Sequence, residues 1–118
     1  MSLIDAVSRG DLEALRDRIA RGDDVDGRDG SGCTPLMWAC EYGHLECVEA
    51  LIEADAALDM VDNNGRTALL LACDNGHLEC AQALIEAGAA VDMVDNDGRT
   101  ALFKACEFGH HECAQALI

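Results

Sequence analysis

The sequence predicts an all-α solenoid of about four repeats, each a pair of antiparallel helices followed by a projecting β-turn or hairpin-like finger. Three observations carry this. The chain of 118 residues has an internal period of 33, its apolar half is small and aliphatic with only 3% aromatic residues, and turn residues recur at fixed offsets. A period of this size marks units that bury their apolar faces only by stacking on one another. Ala and Leu, with Val, Ile and Cys, suit closely approaching helices, whereas a β-sandwich draws on β-branched and aromatic side chains.

The period is read directly. Thr34-Pro35-Leu36, Thr67-Ala68-Leu69 and Thr100-Ala101-Leu102 are successive copies, and the same shift superimposes Ala39-Cys40, Ala72-Cys73 and Ala105-Cys106. Gly43-His44 maps onto Gly76-His77 and Gly109-His110. Glu46-Cys47, Glu79-Cys80 and Glu112-Cys113 keep register, as do Ala50-Leu51-Ile52, Ala83-Leu84-Ile85 and Ala116-Leu117-Ile118. One step earlier lies a weaker copy, with Ala6 under Ala39, Gly10 under Gly43, Leu12 under Leu45 and Ile19 under Ile52. This first unit lacks the Thr-x-Leu opening. Its surface, Arg9, Asp11, Glu13, Arg16, Asp17 and Arg18, suits a capping repeat with a solvated outer face. The units run over about 1–28, 29–61, 62–94 and an incomplete 95–118, in a single domain covering 1–118.

Within a unit, Thr34, Thr67 and Thr100 are N-caps, and Pro35 takes the first helical position, where its missing N–H is not needed. The first helix ends just before Gly43, Gly76 or Gly109. The second starts near Leu45, Leu78 or His111 and carries an early Glu at 46, 79 or 112, favourable at the positive end of the helix dipole. Gly22 and Gly88 supply a left-handed exit turn, where the third equivalent is Asp55, a poorer fit. Val25, Leu58 and Val91 precede Asp29-Gly30-Ser31-Gly32, Asp62-Asn63-Asn64-Gly65 and Asp95-Asn96-Asp97-Gly98. In such turns Asp and Asn side chains bond nearby backbone.

Eight Lys+Arg against 23 Asp+Glu give a formal net charge of −15, and Lys104 is the single lysine. Such a chain repels nucleic-acid phosphate and anionic lipid, so neither DNA, RNA nor a membrane surface is an expected partner. No apolar run is long enough to span a bilayer, and the start carries no basic and apolar leader. The seven cysteines, odd in number and without an export signal, read as reduced thiols, which predicts a cytoplasmic or nuclear location. The last predicted helix is reached at Ile118 without the exit seen at Glu86-Ala87-Gly88. The sequence reading therefore expects a fragment of a longer array.

The pattern resembles the ankyrin repeat. The family's Thr-Pro-Leu-His-x-Ala opening is matched by Thr34-Pro35-Leu36-Met37-Trp38-Ala39, its Gly-His-Leu-Glu by residues 43–46 and 76–79, and its Asp-x-x-Gly-x-Thr finger by residues 62–67 and 95–100. Three departures stand out. Met37, Leu70 and Phe103 replace the family's His, leaving the Thr hydroxyl to cap only; His111 replaces a Leu; and Lys104 stands in the column of Trp38 and Leu71, implying a column at least half exposed in the fourth unit.

Each unit offers Cys, His and a carboxylate, but a catalytic site is one asymmetric constellation, whereas these residues recur with the packing. The Cys pairs, such as Cys40 and Cys47, lack the short spacing of a zinc site. They read as small core hydrophobes, and Met60 and Met93 likewise as packing residues. The resemblance gives His44, His77 and His110 a structural role, tying a loop to its neighbour. Cys33 breaks the pattern, replacing Arg66 and Arg99, and is expected to be the exposed thiol, with an oxidation-sensitive site as the sharper reading. No nucleotide-binding, metalloprotease or nucleophile-elbow motif occurs. The sequence thus predicts no catalytic residue, no metal and no cofactor.

What remains is binding. The resemblance implies a concave face of fingers and first helices whose residues vary with the partner. Carried onto this chain, the partner-binding residues are Glu41, Tyr42, Arg66, Asp74, Asn75, Arg99, Glu107 and Phe108. Glu41, Asp74 and Glu107 form an acidic column, with Tyr42 and Phe108 beside its ends, a composition expected of binding hot spots. The predicted function is a non-catalytic protein–protein interaction module taking a basic, or mixed basic and apolar, protein segment. The alternatives are a targeting or regulatory piece of a larger enzyme of kinase or ubiquitin-ligase type, and a structural spacer. A monomer is expected, with self-association through an uncapped last repeat as the variant.

Overall fold

The computed structural model describes residues 1–118 and contains eight helices and no strand. They are α1 (Leu3–Ser8), α2 (Leu12–Ala20), α3 (Pro35–Tyr42), α4 (Leu45–Glu53), α5 (Ala68–Asp74), α6 (Leu78–Glu86), α7 (Ala101–Glu107) and α8 (His111–Ala116). The odd helices stack on one another in chain order, the even helices form a second layer, and each odd helix also packs on the even helix that follows it. The result is elongated, 39 × 25 × 22 Å. No helix is long and apolar enough to cross a membrane.

The caps fall where the sequence places them. Thr34, Thr67 and Thr100 hydroxyls accept from the backbone N–H of Met37, Leu70 and Phe103 at 3.3, 3.1 and 3.1 Å. In the first unit Ser2 takes this role, with Asp5 returning the bond to the Ser2 N–H, so the opening that seemed absent there is present in another residue type. Asp55 is left-handed at φ 62°, in register with Gly22 and Gly88 at 89° and 99°.

The core is a ladder. Leu15, Leu36, Leu51, Leu69 and Leu84 are fully buried, each stabilising by about 1.5–3 kcal/mol relative to exposure. Ala39, Ala72 and Ala105 have no exposed surface, and their small size lets the odd helices approach. Cys40, Cys47, Cys73, Cys80 and Cys113 are buried among them. Burial pushes the Cys73 thiol up to about 12 and the Cys80 thiol to about 11, so both stay protonated at neutral pH.

The fingers are β-turns rather than strand-bearing hairpins. Gly32, Gly65 and Gly98 N–H groups donate to the carbonyls of Asp29, Asp62 and Asp95 at 3.0 Å each, and one further pair closes each loop, such as Asp62 N–H to Arg66 O at 3.0 Å. The Asp carboxylates sit inside these turns as predicted. Asp29 Oδ1 accepts from Ser31 and Cys33 N–H at 2.9 and 3.0 Å, and Asp62 and Asp95 repeat the arrangement.

Two expectations are corrected. Cys33 is buried at 7% exposure, and the exposed thiol is Cys106. Cys33 lines one crevice with Trp38 and Arg66, and burial, helped by the charges of Asp29 and Asp62, raises its pKa. That removes the case for an oxidation-sensitive site there. Lys104 is not half exposed: 12% of its side chain is accessible, with its ammonium set between the Asp74 and Glu107 carboxylates.

Candidate functional site

The expected binding residues lie at the finger bases and the ends of α3, α5 and α7, where the 33-residue register brings equivalent positions side by side. Glu41 and Tyr42 close α3, while Asn75 and Phe108 are the C-caps of α5 and α7. Tyr42 and Phe108 are 51% and 55% exposed. Tyr42 is held by stacking on Trp38, one helical turn earlier, with centroids 5.7 Å apart and planes at 19°. Trp38 is itself fixed by its Nε1–H, which donates to Asp29 Oδ2 at 2.8 Å. Burial alone would raise the Asp29 carboxyl, but bonds from Cys33 N–H, Trp38 Nε1–H and Ser31 N–H outweigh it and hold it below the ordinary value. The finger of the second unit and the aromatic pair on α3 are thus one connected platform.

The acidic column is interlocked. Asn75 Nδ2 donates to Glu41 Oε2 at 3.1 Å and to Leu71 O at 2.9 Å, joining the second unit to the third. Lys104 Nζ lies 3.7 Å from Asp74 Oδ1 and 3.8 Å from Glu107 Oε1, joining the third to the fourth, and 5.6 Å from the Phe108 ring centroid. Of the three acids, only Glu41 has no cation within 4 Å.

The two arginines differ. Arg66 Nε is bound to Asp62 Oδ2 at 2.9 Å, so its guanidinium is committed to its own finger. Arg99 lies over Phe103, 5.9 Å from the ring centroid. Between the second and third units Cys33, Met37, Trp38, Glu41, Arg66 and Leu71 line a crevice of about 80 Å³. That is well below the several hundred Å³ of a cofactor site and fits a single side chain. Trp38 and Lys104 were missed as parts of the face. The signal for Lys104 was its position three residues before Glu107 on one helix, the spacing of an ion pair.

His44, His77 and His110 tie the units together, with Nε2 at 3.3, 3.1 and 3.1 Å from the carbonyl oxygens of Ser8, Glu41 and Asp74. The pinned Glu41 and Asp74 are the acids of the column, so the scaffold bond and the candidate face share residues.

Stacked helix pairs with turn fingers, variable side chains on one face and a fixed polar lattice beneath define a helical-repeat recognition scaffold. The family model described as ankyrin repeats (3 copies) matches residues 3–95 and 56–118. The chain belongs to the ankyrin-repeat family. A search of curated proteins finds no match to the chain. Ankyrin repeats generally mediate protein–protein interaction, and domains of this kind are typically non-catalytic interaction modules.

Proposed function

We propose that this chain is a non-catalytic interaction module that binds a protein segment of mixed basic and apolar character across Glu41, Tyr42, Arg66, Asp74, Asn75, Arg99, Glu107 and Phe108. The observation that carries this reading is the pair of exposed aromatic rings, Tyr42 and Phe108, flanking an acidic column on a rigid platform. Exposed aromatics held in place lose little entropy on binding and make natural anchors. Glu41, with no cation within 4 Å, supplies most of the charge for a cationic partner, whereas Asp74 and Glu107 share Lys104 at 3.7 and 3.8 Å. The partner is therefore as much apolar as basic.

The test uses a fluorescein-labelled peptide of alternating Arg and Leu as probe. Reversing Glu41 and Glu107 to Lys should weaken binding and flatten its salt dependence, while Tyr42→Ala and Phe108→Ala should weaken it with the salt slope unchanged. Unchanged affinity in the charge-reversed variant sinks the basic part of the reading. Unchanged affinity in both aromatic variants sinks the site.

A further inference from the structure

At the junction of the third and fourth units a cation is set between two acids. Lys104 Nζ lies 3.7 Å from Asp74 Oδ1 of the preceding unit and 3.8 Å from Glu107 Oε1 of its own helix. One period earlier, at the junction of the second and third units, the same three positions are Leu71, Glu41 and Asp74. There the acid of the preceding unit, Glu41, has no cation within 4 Å, and the residue in the place of the lysine is apolar.

Beside Glu41 lies the crevice of about 80 Å³, with Cys33, Met37, Trp38, Arg66 and Leu71 as its other walls. Shorter side chains leave it room: Cys33 stands where the next junction carries Arg66, and Leu71 where it carries Lys104. Met37, Trp38 and Leu71 suit a hydrocarbon stem, and Glu41 suits a positive head. A neutral apolar side chain would take water from the Glu41 carboxylate and return nothing. Arg66, the one cation in the lining, has its Nε on Asp62 Oδ2 at 2.9 Å, so this pair adds no net charge. The indole N–H of Trp38 is committed to Asp29 Oδ2 at 2.8 Å, which leaves the ring for apolar and cation–π contact.

The oxygens of Glu41 decide between the two cationic side chains. Oε2 already accepts from Asn75 Nδ2 at 3.1 Å. A guanidinium makes its strongest pair with both oxygens of a carboxylate at once, whereas an ammonium is a point charge that needs only one. We infer that the crevice receives a single lysine side chain of the protein partner, its stem along Met37, Trp38 and Leu71 and its ammonium on Glu41, in the place that Lys104 fills one junction further on. This occupancy rests on the protein-binding reading of the face and adds the side chain that the partner must carry.

The experiment compares two fluorescein-labelled peptides of equal length, one alternating Lys with Leu and one alternating Arg with Leu, by anisotropy on the 118-residue protein. Unlabelled peptides are followed in parallel through the emission of Trp38, the single tryptophan, which lines the crevice. The Lys peptide should bind at least about threefold tighter than the Arg peptide, since the site offers a point charge its full contact and a fork only half. It should also change the Trp38 emission with the same midpoint. Glu41→Gln, which keeps an oxygen for Asn75, and Cys33→Arg, which gives the crevice the residue of the next unit, should each make the two peptides bind alike. Phe108→Ala, outside the crevice, should weaken both and keep their ratio.

Equal affinity of the two peptides for the parent protein, or tighter binding of the Arg peptide, overturns the choice of lysine. A Lys preference that survives Glu41→Gln and Cys33→Arg, or binding by anisotropy with the Trp38 emission unchanged, overturns the crevice as its seat and leaves the face standing. If Cys33→Arg does not fold by circular dichroism, Glu41→Gln alone decides. Failure of both peptides to bind overturns the reading of the face itself, and the lysine seat with it.

Discussion

Lys104 Nζ lies 3.7 Å from Asp74 Oδ1, across the contact between α7 and α5, and the same ammonium stands 3.8 Å from Glu107. The single lysine of the chain is thus set into the acidic column that its sequence offers as a cation-binding surface. The column is not a uniform negative stripe. It is open at Glu41 and compensated at Asp74 and Glu107.

Replacing Lys104 by Met should restore an apolar residue to the column of Trp38 and Leu71 and release two acids. Affinity for the Arg–Leu probe peptide should rise about fivefold, the equivalent of roughly 1 kcal/mol for one unit charge at about 4 Å in a water-like dielectric. Global stability should fall, by up to about 3–5 kcal/mol, since the pair is mostly buried and Asp74 Oδ1, which has no hydrogen-bond partner, is left as an uncompensated charge. Fluorescence anisotropy at low and high salt reads the first effect and urea unfolding the second. A fall in affinity would show that Lys104 itself contacts the probe.

Asp29 predicts an acid-sensitive platform. Its carboxyl pKa is depressed below the ordinary 3.8 by the bonds from Cys33, Trp38 and Ser31, which outweigh the opposing effect of burial. A depressed folded pKa contributes stability that is fully present above the unfolded value and is lost as pH falls through the folded one. Asp29→Asn should therefore destabilise at neutral pH, by about 1–3 kcal/mol for bonds to a charged acceptor. The gap between the variant and the parent should close as pH drops below the unfolded carboxylate range. Chemical unfolding across pH measures both; a gap that widens in acid would reverse the assigned sign.

The repeat register made the scaffold readable because each device is local. A Thr hydroxyl bonds an N–H three residues on, and an Asp in a four-residue turn bonds backbone within its own loop, so Thr34, Thr67, Asp62 and Asp95 could be placed without knowing what they face. The errors came where burial depends on the neighbouring unit. Cys33 was read from the polarity of Arg66 and Arg99, yet Arg66 folds back onto Asp62 and helps cover Cys33. Lys104 was read as an exposed position from its charge, although a four-carbon stem can fill an apolar column while its head reaches two carboxylates. The Trp38–Asp29 bond escaped notice because it spans nine residues and depends on how the finger folds over α3.

Asp55→Gly should stabilise the protein. Asp55 adopts φ 62° where Gly22 and Gly88 occupy the same turn, and it places an acid at the negative end of α4. Glycine removes the left-handed strain, giving about 0.5–1 kcal/mol in unfolding experiments. A lowered melting temperature would refute the backbone assignment at this position.

Gly43 and Gly22 separate two reasons for a glycine. Both have positive φ, at 71° and 89°, so alanine at either incurs the left-handed penalty of about 1–2 kcal/mol. At Gly22 a Cβ meets open space, whereas at Gly43 it would lie 2.6 Å from His77 Nδ1 and push the ring from its bond to the Glu41 carbonyl. Gly43→Ala should therefore cost about 1 kcal/mol or more beyond Gly22→Ala, the net value of a displaced hydrogen bond. In a His77→Ala background that excess should vanish, because the ring that the new methyl strikes is gone. A double-mutant cycle by urea unfolding isolates the term. An excess that survives the loss of His77 would place the constraint in the backbone of α3 and not in the junction. Loss of the excess, together with weaker probe binding in Gly43→Ala, would show that the His77 bond also holds Glu41 in its place on the binding face.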